Sequence, residues 1–328
     1  MATFEQARQL ELSAEARARM VNDHPIVIKK YTVLTPMIQT TYSLVRERVW
    51  TRRTGSFLYA RPRMGKTLCA YALQRLLSAE FNDVHVVHLS ADERHSNTDI
   101  GLISDLLETE GVRARKRSTY KEMLSQFLVH IQTNVSAKAG RQVILLIDEL
   151  QMLSEADLRI LLVIHNRLEM ADIAMTTIGF AQPEILERRS ALITSKAFNL
   201  IARFLSEPIP FDGCGGRDDL SKILLAIDDE KRYPEDTDWT YTRFFLPEAF
   251  DAGFRLKTYA DLIWTMLIEA AKPLGTGTVP MEHLTRTIEY LLLAGRKADS
   301  PQFQLDEARV DAAVDASNLR YFCGLLAQ

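Results

Sequence analysis

Apolar positions in the first two thirds of the chain follow two alternating rhythms. Short apolar or β-branched runs read as strands: SFLYA (56–60), VHVVHLS (84–90), VILLI (143–147) and IAMTTIGF (173–180), with a further short strand near 208–211. Between them, apolar residues recur three and four apart, as on one face of a helix. Such stretches cover 41–50, 66–81 (Leu68, Ala72, Leu73, Leu76, Leu77), 99–109, 119–139 and 155–170, and a helical region follows the fourth strand up to Phe204. An unbroken run such as VILLI suits a strand buried on both faces. The alternation predicts an α/β fold: a parallel five-stranded sheet flanked by helices.

The flanks read differently. Residues 3–20 form a polar helix with a weak apolar stripe, ended by His24 and Pro25, and IVIKKYTVLT (26–35) reads as extended. After DGCGGRDD (212–219) the pattern is helical almost to the end, with breaks at Pro234, 272–280 and 298–301. The expected domains are an N-terminal helical extension (1–29), an α/β core (30–212) and a small all-α lid with a C-terminal tail (213–328).

Composition narrows the chemistry. The chain has 328 residues, 47% hydrophobic and 25% charged, enough for a full core without disulfides. Its three cysteines, Cys69, Cys214 and Cys323, form no CxxC pair, which argues against zinc and fits a reducing cytoplasm. No apolar stretch approaches the ~18 residues that span a bilayer, so no membrane partner is expected. The early charges Glu5, Arg8 and Glu11 do not fit a secretory signal. With a net charge of -3, DNA binding requires a local basic surface.

One segment carries specific chemistry. ARPRMGKT (60–67) lies between a strand and a helix, the setting of a phosphate-binding loop. The backbone of Arg61, Pro62, Arg63, Met64, Gly65, Lys66, Thr67 and Leu68 would wrap a phosphate at the positive end of the helix dipole. Gly65 permits close approach, Lys66 reaches the β- and γ-phosphates of ATP, and the Thr67 hydroxyl is placed for Mg2+. The usual first Gly is Ala60 here. A second motif, VILLIDE (143–149), ends a buried strand in two carboxylates at the edge where open α/β sheets bind ligands. Asp148 would hold Mg2+ and Glu149 would act as general base on water.

Other candidates leave alternatives open. Gln182, after IGFAQ, would contact the γ-phosphate or the water, or be a turn residue; Thr177 is a fallback. Arg203 would reach a neighbouring subunit's γ-phosphate, or be an ordinary helix-end Arg; Arg188 and Arg189 compete with it. Arg255 would touch phosphate from the lid, or face solvent. Arg113, Arg115, Lys116 and Arg117 form the densest basic cluster, with Thr119 and Lys121 beside it. It reads as a DNA-backbone contact or a solvated loop. Arg46, Arg48, Arg52 and Arg53 form a second basic set. His85 and His88, three apart on a strand, point to opposite faces and cannot share a metal. RYFCGLLAQ (320–328) would dock on the protein's own lid or hook a partner.

With the 60–67 loop, VILLIDE, IGFAQ, ARF (202–204) and a helical lid in this order, the chain resembles the AAA+ ATPases, over roughly residues 30–295. Within them it resembles the TnsC/TniB/MuB transposition regulators, in size, compact lid and the segments HPIVIKKYTVLTPMIQTTYSLV and LLIDELQML. The resemblance implies an Mg2+-dependent ATPase that forms a homo-oligomeric ring or filament on double-stranded DNA without sequence preference. It further implies recruitment of a transposase to a site marked by a selector of the TniQ type, including selectors coupled to an RNA-guided complex, as in a CRISPR-associated transposon. A protein-remodelling or clamp-loading ATPase, and a slow signalling NTPase scaffold, are the alternative functions.

Overall fold

The computed structural model describes residues 11–92, 99–113 and 117–327. The chain divides into two compact units. One spans 38–211; the other joins the N-terminal segment up to residue 37 with 212 onward.

The N-terminal segment contains α1 (Ala14–Met20), capped by Ser13, and α2 (Pro25–Ile28). Residues 3–10 of the expected first helix lie outside the described residues. The expected extended stretch at 26–35 is corrected at its start, because residues 25–28 are helical. Pro25 presets the first helical turn, and the His24 imidazole Nδ1 accepts the Ile26 N–H at 3.1 Å. Nor do 1–29 and 30–37 separate into an extension and part of the core, since the described part of both packs with the helical unit. Ile26 is buried in that unit's core, and Arg17 donates to the Phe244 carbonyl at 3.3 Å. Lys29 forms an ion pair with Glu289, which also accepts the Tyr31 hydroxyl at 2.9 Å.

The α/β unit runs α3 (Pro36–Trp50), β1 (Ser56–Tyr59), α4 (Lys66–Glu80), β2 (Val84–Ser90), α5 (Asp99–Thr109), α6 (Tyr120–Ala137) and β3 (Gln142–Asp148). It continues with α7 (Glu155–Glu169), β4 (Ala174–Ala181), α8 (Ile185–Thr194), α9 (Phe198–Phe204) and β5 (Glu207–Pro210). Where sequence suggests one helical region up to Phe204 there are two helices, separated at Lys196, whose φ is 60°. All neighbouring strands pair in parallel, in the order β2-β3-β4-β1-β5. Every residue of β3 is buried, which accounts for its unbroken apolar run. One layer of the core packs Phe57, Leu145 and Ile147 of the sheet with Leu106, Phe127 and Leu161 of the helices. Capping boxes at Thr119/Glu122 and Ser154/Asp157 fix the starts of α6 and α7.

The helical unit contains α10 (Arg217–Leu225), α11 (Tyr241–Phe245), α12 (Pro247–Asp251), α13 (Ala260–Ala271), α14 (Met281–Gly295), α15 (Glu307–Ala316) and α16 (Leu319–Leu326). The last helix buries Leu319, Phe322 and Cys323 in this unit's own core, while Tyr321 and Leu325 stay exposed. Among the described residues no helix is long and apolar enough to cross a membrane.

Candidate nucleotide site

Three strand ends build the site. The chain leaves β1 through residues 60–65 and enters α4 at Lys66, so the loop opens directly onto a helix N-terminus. Gly65 has φ 98°, a left-handed conformation that costs glycine little. The Lys66 side chain is buried and folds back into the loop, where its ammonium donates to the carbonyls of Ala60 at 2.8 Å and Arg61 at 3.1 Å. Burial lowers its pKa; the carboxylates of Glu149, Asp148 and Glu184 oppose that shift. A buried cation whose neutral partners are its own loop carbonyls fits an anion arriving in the cradle. Met64 is buried, whereas Thr67 and Leu68 are exposed.

Asp148 ends β3, opposite Ser90 of β2. It is 2% exposed, and its Oδ1 accepts the Glu149 N–H at 3.1 Å. Burial raises its pKa, and a hydrogen bond from the Thr67 hydroxyl works the other way. The two residues assigned to Mg2+ by sequence are therefore in direct contact, one hydroxyl and one carboxylate, as a hard cation requires. Among the described residues no cluster of three or more His, Cys, Asp or Glu is arranged to hold a metal. An ion here would need phosphate or water oxygens to complete its shell, as Mg2+ bound to a nucleotide has.

Glu149 takes a left-handed conformation (φ 54°) as the chain turns sharply into the 3-10 turn Leu150–Met152. Its Oε2 accepts from the Gln182 side-chain amide at 3.2 Å and from the Gln151 amide. Gln151 in turn accepts the Gln182 backbone N–H at 2.9 Å. The Leu150 side chain of this turn packs against Gly179 of β4. A Cβ there would fall 2.4 Å from Leu150 and 3.2 Å from Phe57. Gln182, at the end of β4, is thus brought to Glu149. Gln151 is the residue that sequence reasoning missed; its signal was the polar side chain two positions beyond the DE pair.

The arginine candidates are held elsewhere. Arg203 pairs with Glu169 at 3.5 Å. Arg188 donates to the Leu153 carbonyl and Arg189 to that of Leu205 at 2.7 Å. Arg255 belongs to the helical unit. Its guanidinium donates to the carbonyls of Phe250 (2.9 Å) and Phe254 (2.6 Å) and lies 3.5 Å from the Phe250 ring centre. Of the second basic set, Arg46 pairs with Glu80, and Arg48 and Arg53 pair with Glu207 at 2.8 and 3.4 Å. The fallback Thr177 is buried within β4, its hydroxyl without a hydrogen-bond partner among the described residues.

Of the basic loop, Arg115 and Lys116 lie outside the described residues. Arg113, Arg117 and Lys121 are exposed. Thr119 caps α6: its hydroxyl accepts the Glu122 N–H at 3.4 Å and donates to the Glu122 carboxylate at 2.9 Å. His85 and His88 have separate partners, Glu110 (2.8 Å) and Gln74 (3.3 Å).

Residues 51–188 match the family model described as an AAA domain. This segment is an AAA-type P-loop domain. The fold as a whole is AAA+. It is similar to the ORC2 protein of Aeropyrum pernix, with a TM-score of 0.56 at 12% identity over 88% of this chain and 68% of that one. The ORC1 protein of the same organism, solved in complex with DNA, gives 0.53 at 13% over 88% and 67%. Cdc6p of Pyrobaculum aerophilum gives 0.52 at 14% over 80% and 62%. No curated protein matches the chain in sequence.

Proposed function

We propose that this AAA domain is an Mg2+-dependent ATPase that oligomerises on double-stranded DNA when ATP is bound, and that the oligomer is the adaptor bringing a transposase to a site marked by a target-selection protein. The observation that carries the nucleotide reading is the gathering of Lys66, Thr67, Asp148 and Glu149 at the ends of β1 and β3. In this reading Lys66 exchanges its loop carbonyls for the β- and γ-phosphates, and Thr67 and Asp148 hold the ion. An ion held there would supply positive charge to offset the charge developing on the phosphate. Glu149 takes the proton of the attacking water, and Gln182 stays within reach of the same carboxylate. Arg203, restrained by the exposed Glu169, is assigned to a neighbouring subunit's γ-phosphate. Arg255 keeps its candidate role toward phosphate.

The DNA part is supported by the exposed Arg113, Arg117 and Lys121 in a chain whose net charge is otherwise negative. It is also supported by the fold's likeness to a protein solved on DNA. The transposase and selector parts rest on the sequence resemblance of LLIDELQML and the segment that begins at His24. The test is electron microscopy with an ATP analogue and duplex DNA, beside binding titrations over a salt series. Rings or filaments are expected on DNA. Replacing Arg113 and Arg117 with Gln should flatten the slope of log K against log salt by about 0.9 per lost phosphate contact. Absence of any assembly at every salt concentration contradicts the reading.

A further inference from the structure

The helical unit holds a cavity that the nucleotide site does not use. It lies between the last turns of α14 and the start of α15, with a volume of about 190 Å³. Leu291, Gly295, Phe303 and Leu305 line it and are buried, whereas Ala294 and Ala298 line it and are exposed, so these two mark its open side. Positions 291, 294, 295 and 298 recur three and four apart along α14 and the turn that follows it, so they share one side. Three of those four carry only a methyl group or no side chain, which leaves the space unfilled. The wall cannot close further at Gly295, where even a Cβ would fall 3.0 Å from Phe303 and 3.2 Å from Leu246.

Two properties of the lining define a ligand. Arg309 of α15 is the one polar side chain among the lining residues. A water held in a cavity needs about two to four polar partners, so most of this space suits an apolar occupant. An apolar cavity of about 150 Å³ is enough for a benzene molecule, whereas pockets for drug-sized ligands begin near about 300 Å³. The room is therefore that of one ring with a short substituent. Arg309 sets the substituent. Its guanidinium lies 4.8 Å from the Phe303 ring centre, which holds the charge at the edge of the cavity. Its Nε is 3.8 Å from the Asp306 carboxylate, beyond hydrogen-bond length, and Asp306 is engaged in capping α15 through the Arg309 backbone N–H at 2.8 Å. The two terminal nitrogens have no partner among the described residues. A planar fork with both tips free matches a carboxylate through two parallel hydrogen bonds.

We propose that this cavity is a binding site for a small aromatic monocarboxylate, with its ring among Leu291, Phe303 and Leu305 and its carboxylate on Arg309. The site lies within the helical unit and does not depend on the reading of the nucleotide site.

The test is isothermal titration calorimetry of the full chain with three probes. Phenylacetate has both parts, phenylacetamide is its neutral isostere, and acetate carries the charge without the ring. Phenylacetate should bind with a Kd below about 1 mM, and each of the other two at least ~10-fold more weakly. Arg309→Gln should weaken phenylacetate about tenfold and abolish its preference over phenylacetamide. Ala294→Phe puts a ring into the mouth and should abolish binding of both. If Ala294→Phe lacks a cooperative thermal transition, Ala298→Leu replaces it under the same criterion. Phenylacetate binding no tighter than acetate overturns the proposal, as does phenylacetamide binding as tightly as phenylacetate. A phenylacetate Kd that Arg309→Gln or the mouth-filling variant leaves at the parental value places the ligand elsewhere and overturns it too.

Discussion

Among the described residues, the most deeply buried carboxylate of one unit is handled differently from that of the other. In the helical unit, Asp228 is 1% exposed and accepts the Thr242 hydroxyl at 2.6 Å and the backbone N–H groups of Leu256 and Lys257 at 3.1 and 2.9 Å. In the α/β unit, Asp148 is 2% exposed, with one backbone N–H, the Thr67 hydroxyl and the Lys66 charge nearby. Burial raises the pKa of both. Asp228 is enclosed by internal donors and ties the chain at 228 to that at 256–257, which is a structural task. Asp148 stands at a strand end beside a buried cation, and its neighbours are those a phosphate-bound ion would use. A buried charge is therefore not evidence of a functional site; the identity and fixity of its partners decide.

The largest expected effect separates the two directly. Asp228→Asn turns an amide N–H toward backbone donors, and should cost about 3 kcal/mol of stability through unsatisfied buried groups. Asp148→Asn should change the stability of the nucleotide-free protein by no more than about 1 kcal/mol while lowering ATP turnover at least ~100-fold. Urea unfolding and a phosphate-release assay read the two quantities. Equal stability losses would erase the distinction.

A smaller effect sharpens the structural side. His24 is fully buried among the rings of Tyr233, Tyr241, Phe244 and Phe245, at 4.6–4.9 Å. Burial lowers its pKa to about 3. A depressed histidine contributes stability that is present above its unfolded pKa, near 6.5, and is lost as pH falls from there toward about 3. Between pH 7.5 and 5 that loss is about 2 kcal/mol. His24→Phe should remove this part of the acid sensitivity, seen as a smaller drop in urea midpoint over the same interval. An unchanged drop would mean that groups other than His24 carry the acid sensitivity.

The smallest effect concerns one strand's two ends. Gln142 begins β3 and donates to the Val49 carbonyl at 3.0 Å and the Thr176 hydroxyl at 2.9 Å. Gln142→Leu should cost about 1 kcal/mol and leave ATP turnover at the parental rate. A large loss of turnover would show that chemistry in β3 is not confined to its C-terminal end.

The same contrast explains what could be read from sequence. Parallel strands announce themselves because both faces are buried, so VILLI and VHVVHLS were legible as strands without any partner in view. The phosphate loop was legible because its chemistry is local: glycine, lysine and threonine act within three consecutive positions. The attachment of the N-terminal segment was not, because it depends on pairs such as Lys29 with Glu289, 260 residues apart. The helix at 25–28 was hidden for a related reason. It is one turn long, set by a proline and a histidine cap rather than by periodicity. Gln151 falls between these cases, since its neighbour Glu149 was read from the motif, but its bond to Gln182 requires the strand order.

The most direct test of the hydrolytic site compares parent, Lys66→Ala and Glu149→Gln in two assays, binding of a fluorescent ATP analogue and single-turnover hydrolysis. The geometry predicts that Lys66→Ala loses binding, and that Glu149→Gln binds as the parent does but hydrolyses at least ~100-fold more slowly. A Glu149→Gln protein that hydrolyses ATP at the parental rate, or a Lys66→Ala protein that binds it unchanged, would contradict the assignment of this site.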